Sequence, residues 1–167
     1  MTFLYKINKN GATAEGYVQA GDESEARAKV EKKFPASTNT KVLGIEQVYV
    51  ATTRNARMSA FKGRVLAASC QGLTAAEALT VVEFSPKKAA ELIKKTIKSA
   101  IANAKNNDGV AEPEKLVVRL CVVEESVRMR RYWPTARGSA HPIARRLCHC
   151  KVVLAEGGAR KSKKGAK

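Results

Sequence analysis

"LVVRLCVVEESVRMRRYWPTARGSAHPIARRLCHCKVVLA", residues 116–155, decides the architecture. Leu116, Val118, Leu120 and Val122 alternate as on a half-buried strand. Leu147–Leu154 has the composition of its partner. The segment between them, Glu125–Ile143, is too long for a tight turn and reads as an extended, arginine-rich arm. From Arg128 to Ala155 there are seven Lys and Arg side chains and no Asp or Glu. Like charges repel, so folding alone gives no reason to gather them. A polyanion does.

The rest of the composition points the same way. The chain has 167 residues and a formal net charge of +16. Residues 1–50 carry seven basic and six acidic side chains, a net +1, whereas residues 51–167 carry 24 and nine, a net +15. Apolar residues make up 44% but aromatics only 5%, which predicts a core of Ala, Val, Leu and Ile. The first residues lack the apolar stretch of a secretory signal, and six acidic side chains in the first fifty argue against a transit peptide. No apolar run approaches the ~18 residues of a membrane helix. Four cysteines without a signal peptide are expected to stay reduced, and the chain reads as cytosolic.

Residues 1–50 read as a small ββαβ unit. Phe3, Tyr5 and Ile7 alternate as a strand, Asn10-Gly11 signals a hairpin turn, and Ala14–Ala20 is the return. Asp22 caps a helix with Glu25 at the capping-box position. Ala26, Val30 and Phe34 recur along that helix, and Pro35 stops it. Val42–Val50 is the third strand, and Ala51–Ala56 reads as a basic linker. Beyond it, Ser59 opens a helix ending before Gly72. Thr74 and Glu77 form a capping box for a short helix, and Ser85-Pro86 starts a long one that closes at "NNDG", residues 106–109.

On that long helix Ala89, Ile93, Ile97, Ala100 and Ala104 share one face. Lys87, Lys94, Lys98 and Lys105 fall within roughly 40° of one another on a different face, at ~100° per residue. The lysines are either a solvated face or a phosphate-facing stripe. The scarcity of acids near them in sequence favours the stripe.

Chemistry beyond charge is sparse. Alternation sends Cys148 and Cys150 of "CHC" to the core side and His149 to the other, and places Cys121 with Arg119 on the outer side of its strand. The possible zinc ligands therefore diverge, and no metal site is expected. His141 precedes a proline in the basic arm with no carboxylate near it in sequence. No glycine fingerprint for phosphate follows a strand. Catalysis and cofactors are not expected. Arginines 128, 130, 131, 137, 145 and 146 offer planar forks for phosphate, and Tyr132 and Trp133 can stack on unpaired bases. The alternative for Trp133 is ordinary packing on the sheet.

Three blocks, "FSPKKAAELIKKTIKSAIANAKNNDG", "RMRRYWPTARGSAHPIARR" and "CHCKVVLAE", occur in an order and spacing that resemble the large-subunit ribosomal protein 22 family, of bacterial or organellar type, over about residues 51–156. The resemblance implies an α+β body: a three-stranded antiparallel sheet packed with three helices and a long extended β-hairpin. Residues 1–50 have no counterpart in the short members and would be added to it as the small N-terminal ββαβ unit. A basic tail at 157–167 is expected to be disordered.

The resemblance also implies a structural, non-enzymatic role on cytoplasmic or organellar ribosomes, with no membrane. The body would bind large-subunit rRNA beside neighbouring ribosomal proteins, and the hairpin would line the nascent-peptide exit tunnel. Arg54, Arg57, Lys62 and Arg64 match the basic start of the family's body. Met129, Arg130 and Arg131 match the tip region of its hairpin, and "PTARG", residues 134–138, matches the returning strand. With these belong Lys87, Lys88, Lys94 and Lys98 of the long helix, the arm arginines, Tyr132, Trp133 and His141, as candidate rRNA ligands. The chain departs from the family pattern at Gln71, Glu125-Ser126, Ser139 and Ala144. Two other classes compete: a free RNA- or DNA-binding regulator, and an enzyme acting on nucleic acid. The enzyme should show clustered acids for metal ions, which residues 126–155 lack.

Overall fold

The computed structural model describes residues 1–9, 12–34 and 40–157. The Asn10-Gly11 turn, the Pro35 stop and the tail beyond Gly157 lie outside the described residues. In chain order the elements are β1 (Thr2–Lys9), β2 (Ala12–Gln19), α1 (Glu23–Lys33), β3 (Thr40–Ala56), α2 (Ala60–Cys70), α3 (Ala75–Glu83), α4 (Lys88–Asp108), β4 (Val117–Pro134) and β5 (Ala140–Ala155). Five antiparallel strands form one sheet in the order β2-β1-β3-β5-β4. The α+β class, the three body helices and the long hairpin are as expected.

Ala51–Ala56 is a strand, not a linker. β3 runs unbroken for 17 residues. Its first half pairs with β1, from Thr40 to Gln47, and its second half pairs with β5, from Val48 to Ala56. The sequence "ATTRNA" is basic and polar because one face of that strand meets water. Its threonines still suit a pleated backbone, and β5 satisfies its hydrogen bonds.

All four helices lie on one face. Along β3, Ile45 packs against residues that meet α1, and Tyr49 and Ala51 belong to the core under α2–α4. These positions share a parity with no register shift between them. The α4 residues Ala89, Ile93, Ile97, Ala100 and Ala104 are all buried in that core, as their spacing predicts. Helix α2 approaches the sheet closely at Gly63. A Cβ there would stand 3.1 Å from Met58 Cε and 3.2 Å from both Val123 methyls.

The opposite face is curled on itself. Leu4, Val48, Val153 and Ala155 are buried there without a helix over them. The curl brings together side chains from strands that are not neighbours. Lys151 Nζ of β5 sits 3.9 Å from the Tyr17 ring centroid of β2. Arg119 of β4 lies 3.9 Å from Glu46 of β3.

The helix ends follow local chemistry with two departures. Asp22 is the N-cap of α1, but its side chain makes no capping bond and Glu25 accepts from the Gly21 N–H at 2.7 Å. Thr74 and Glu77 form both bonds of the capping box. Gly109 closes α4 in the left-handed region at φ 64°. The start of α4 is later than Ser85-Pro86 suggested. Lys87 is the N-cap, in an extended conformation, and the Ala90 N–H donates to its carbonyl at 2.9 Å.

Strand β4 also departs from simple alternation. Its register against β5 slips between Val118 and Leu120. The extra residue, Arg119, turns outward, and the side chains from Leu120 to Glu125 change face. Cys121 and Val123 thus join Val118 in the helix-side core, while Leu120 packs on the opposite face. Cys121, expected outside beside Arg119, is inside.

Candidate nucleic-acid interface

The arm is the distal half of the β4–β5 hairpin. Pairing from Arg128↔Arg146 to Pro134↔Ala140 carries it about 20 Å beyond the body, at ~3.3 Å per residue. Thr135 and Ser139 close the end: the Thr135 N–H donates to Ser139 O at 2.8 Å, and the Thr135 hydroxyl donates to the same oxygen at 2.9 Å. Between them Arg137 and Gly138 take φ of 59° and 70°. The pleat sorts the arm's side chains. Arg128, Arg130, Tyr132, Arg146, Ala144 and Pro142 share one face, and Met129, Arg131, Trp133, Arg145, Ile143 and His141 share the other. Tyr132 is 77% and Trp133 59% exposed, so the indole is not core.

The base of the arm is built from two irregularities that meet. β4 gains a residue between Glu125 and Arg128. β3 gains one between Thr53 and Ala56, where Asn55 adopts φ 55°. The Asn55 N–H donates to His149 Nδ1 at 3.1 Å, and the Ser126 hydroxyl donates to Asn55 Oδ1 at 2.6 Å. At this junction the last acid of the hairpin, Glu125, accepts from Arg128 at 2.8 Å. Arg128 holds the Glu125 carboxyl below the usual carboxylate range.

Where arm and body meet, an open concavity of about 730 Å3 is lined by Arg57, Lys62 and Lys88 from the body and by Arg131, Arg145 and Arg146 from the arm, with no acidic side chain. Lys88 Nζ donates to the Arg57 carbonyl at 3.2 Å, tying the α2 entry to α4. Arg128 and Arg146 face each other directly across the ladder. A like-charged pair in that position disfavours the isolated hairpin. Five cations around one hollow, with arginine forks among them and Arg146 at its edge, suit a run of phosphates.

Residues 51–155 match the family model described as "Ribosomal protein L22p/L17e". The chain belongs to the ribosomal protein L22 family. Among its curated relatives, a protein named large ribosomal subunit protein uL22 from Thermosipho africanus is 46% identical over 117 residues, covering 70% of this chain and 78% of the relative. Proteins of the same name from Methylacidiphilum infernorum and Akkermansia muciniphila are 48% and 44% identical over 106 residues, covering 64% of this chain and 92% and 94% of the relatives. The L22 family is structural rather than enzymatic.

The structure sorts the residues singled out in the sequence. Arg57, Lys62, Lys88, Arg131 and Arg145 come together in the hollow, Met129 lines its wall, and Arg146 borders it from the arm's other face. Arg128 and Arg130 lie on the arm's other face, Arg137 at its turn, and Tyr132, Trp133 and His141 near its end. Arg54 is exposed on the β3 bulge. Arg64 is exposed and donates through Nε to Val123 O at 3.3 Å. Lys87 and Lys98 are exposed.

Lys94 is different: it is half-buried and paired with Glu83 at 2.8 Å. That acid comes from α3, so a reading confined to α4 missed it. Met129, Arg130 and Arg131 pair with Arg145, Ala144 and Ile143 on the outgoing strand, about 10–15 Å short of the turn. "PTARG" runs from the end of β4 into the turn itself, ahead of the returning strand.

The cysteines play no visible part in the interface. All four are buried. Burial pushes the Cys70 thiol up to about 11 and raises Cys148 as well. A thiol–thiol contact with Cys150, followed by burial, pushes Cys121 up. Cys70, Cys121 and Cys148 are neutral packing groups. Among the described residues no cluster of three or more His, Cys, Asp or Glu is placed to hold a metal. Nor is any described helix long and apolar enough to cross a membrane.

The sequence reading missed Asn55, Ser126 and His149, which set the base of the arm, and Phe61, which stands 74% exposed beside the hollow. An Asn before the body was the available signal for the bulge, since Asn tolerates positive φ. An aromatic in the first turn of a basic helix was the signal for Phe61.

Proposed function

We propose that this protein is a structural component of the large subunit of a bacterial cytoplasmic ribosome. Residues 51–156 serve as the rRNA-binding body, and residues 1–50 as a near-neutral extension of the same sheet. The hollow at the arm's base holds rRNA phosphates, and the arm threads between rRNA segments. The arm's end, Thr135–Ser139, with Met129–Arg131 behind it, contributes to the wall of the nascent-peptide exit tunnel. Neighbouring large-subunit proteins and the nascent peptide are its other partners. The observation that carries this reading is the arm: a hairpin projecting about 20 Å, without an acid from Ser126 to its return, whose arginines beyond Arg128 have no acidic partner among the described residues. The family membership and the names of the relatives support it.

The test pairs two measurements on cells whose only copy is tagged. In sucrose gradients the full chain should travel with large subunits at one copy each. A chain lacking Met129–Arg131 should keep that occupancy while changing the response to macrolides or to stalling peptides. Failure to co-sediment refutes the ribosomal role. Normal occupancy with unchanged tunnel responses refutes the placement of the arm.

A further inference from the structure

Beside the phosphate hollow lies a second open concavity of about 590 Å3, lined by Met58, Phe61, Val65 and Ala89 under a rim of Arg57, Lys62, Lys87 and Lys88. Its wall is mainly apolar, and no acid borders it. Phe61 and Val65 are 74% and 58% exposed. They stand one turn apart on α2, so both project from the same side. Folding gains nothing by exposing a phenyl ring in the first turn of a helix, and a ring ringed by cations is an unusual surface for water alone. The two concavities share Arg57, Ser59, Lys62 and Lys88, so the apolar shelf and the basic track form one continuous surface.

We infer that Phe61 is a stacking platform for an unpaired base of an RNA strand whose phosphates lie along Arg57, Lys62 and Lys88. The inference rests on the rRNA-binding reading and adds to it a specific subsite and the ligand's form. A base has a flat π-face and a negative phosphate on either side. The shelf offers a flat ring with cations along the rim of the same concavity. A neighbouring protein could also cover a phenyl ring, but an acid-free rim that continues into the phosphate hollow favours a polyanion. Duplex RNA would bring only phosphates and sugars to this surface, so the base must be unstacked. Val65 and Met58 would then support the ring and the sugar.

The experiment uses the full-length chain with Tyr132→Leu and Trp133→Leu, which removes the arm's own rings as competing platforms. Two synthetic single-stranded probes of equal length are compared: oligoadenylate and an abasic oligoribose phosphate. The chain with Phe61 should prefer oligoadenylate by roughly 5- to 150-fold, the range expected for one base stacked on an aromatic ring. Phe61→Leu should abolish the preference without changing the salt dependence, and Phe61→Tyr should retain it. No preference with Phe61 present, or a preference that survives Phe61→Leu, overturns the stacking site while leaving the rRNA reading intact. A chain that binds neither probe in a salt-dependent way overturns both. If Phe61→Leu leaves oligoadenylate binding unchanged but lowers occupancy on large subunits, the shelf takes a protein and the inference is wrong.

Discussion

Replacing Arg57, Lys62, Lys88 and Arg145 together by Gln tests whether the hollow binds phosphate. All four line it, and all four are exposed, so fold stability should change little. Each phosphate neutralised contributes about 0.7 to 0.9 to the magnitude of the log–log salt slope. Losing four such contacts should lower the slope for large-subunit rRNA by about 3. At 0.1 M salt that corresponds to about a thousandfold weaker binding, relative to affinities extrapolated to 1 M. The assay is filter binding or anisotropy between about 50 and 200 mM KCl, with a thermal melt of each variant to show that it is folded. Lys94→Gln is the internal control. Its ammonium is already paired with Glu83 at 2.8 Å, so its removal should leave the slope nearly unchanged. A quadruple variant with the parental slope, or a Lys94 variant that loses as much per charge as the hollow does, would refute the reasoning.

Two further outcomes concern stability. Ile97→Ala, at a fully buried position on α4, should cost about 2–5 kcal/mol in urea denaturation with little change in m. A loss under about 1 kcal/mol would mean that the core under α4 collapses to fill the space. Glu77, held below the usual carboxylate range by the Thr74 backbone N–H and hydroxyl, and Glu83, held there by Lys94, bind protons less readily in the folded state than in the unfolded one. Their contribution is therefore complete above the ordinary glutamate value of 4.5 and disappears as pH falls through the lower folded values. Denaturation midpoints followed downward from pH 5 should drop less steeply in Glu83→Gln, and an unchanged acid limb would deny the Glu83–Lys94 pair any role.

Local signals were legible where the cause was local. The Thr74–Glu77 box, the Gly109 stop and the apolar face of α4 each depend on residues three or four positions apart, and the structure has all three. The arm was legible because its composition allows no core. Apart from the cap of α1 and the start of α4, what failed were features decided by a neighbour from elsewhere in the chain. The bulge at Arg119 exists because β5 fixes the register on both sides of it, so alternation read from β4 alone sent Cys121 to the wrong face. Ala51–Ala56 looked like a linker because the strand that completes it lies a hundred residues later, in β5. The Glu83–Lys94 pair spans two helices. The hollow itself is a meeting of α2, α4 and the arm, and no stretch of sequence contains it.

Strand β5 lies inside the sheet, between β3 and β4, although it follows every other described element in the chain. During synthesis β1–β3 and β4 emerge first with no strand to join them, and only β5 brings the two groups into one ladder. Val152, Val153 and Leu154, all fully buried at the end, have to enter from solution into an arrangement already partly formed. At ~5–20 residues per second its 16 residues take about 1–3 s to make. For that interval the nascent molecule exposes two unpaired strand edges and an apolar layer beneath α4. The same strand carries the arm's returning half, so the arginine track is completed in the same step that closes the core. A chain cut short before β5 would lose both at once, which couples the ability to grip RNA to the completion of the fold.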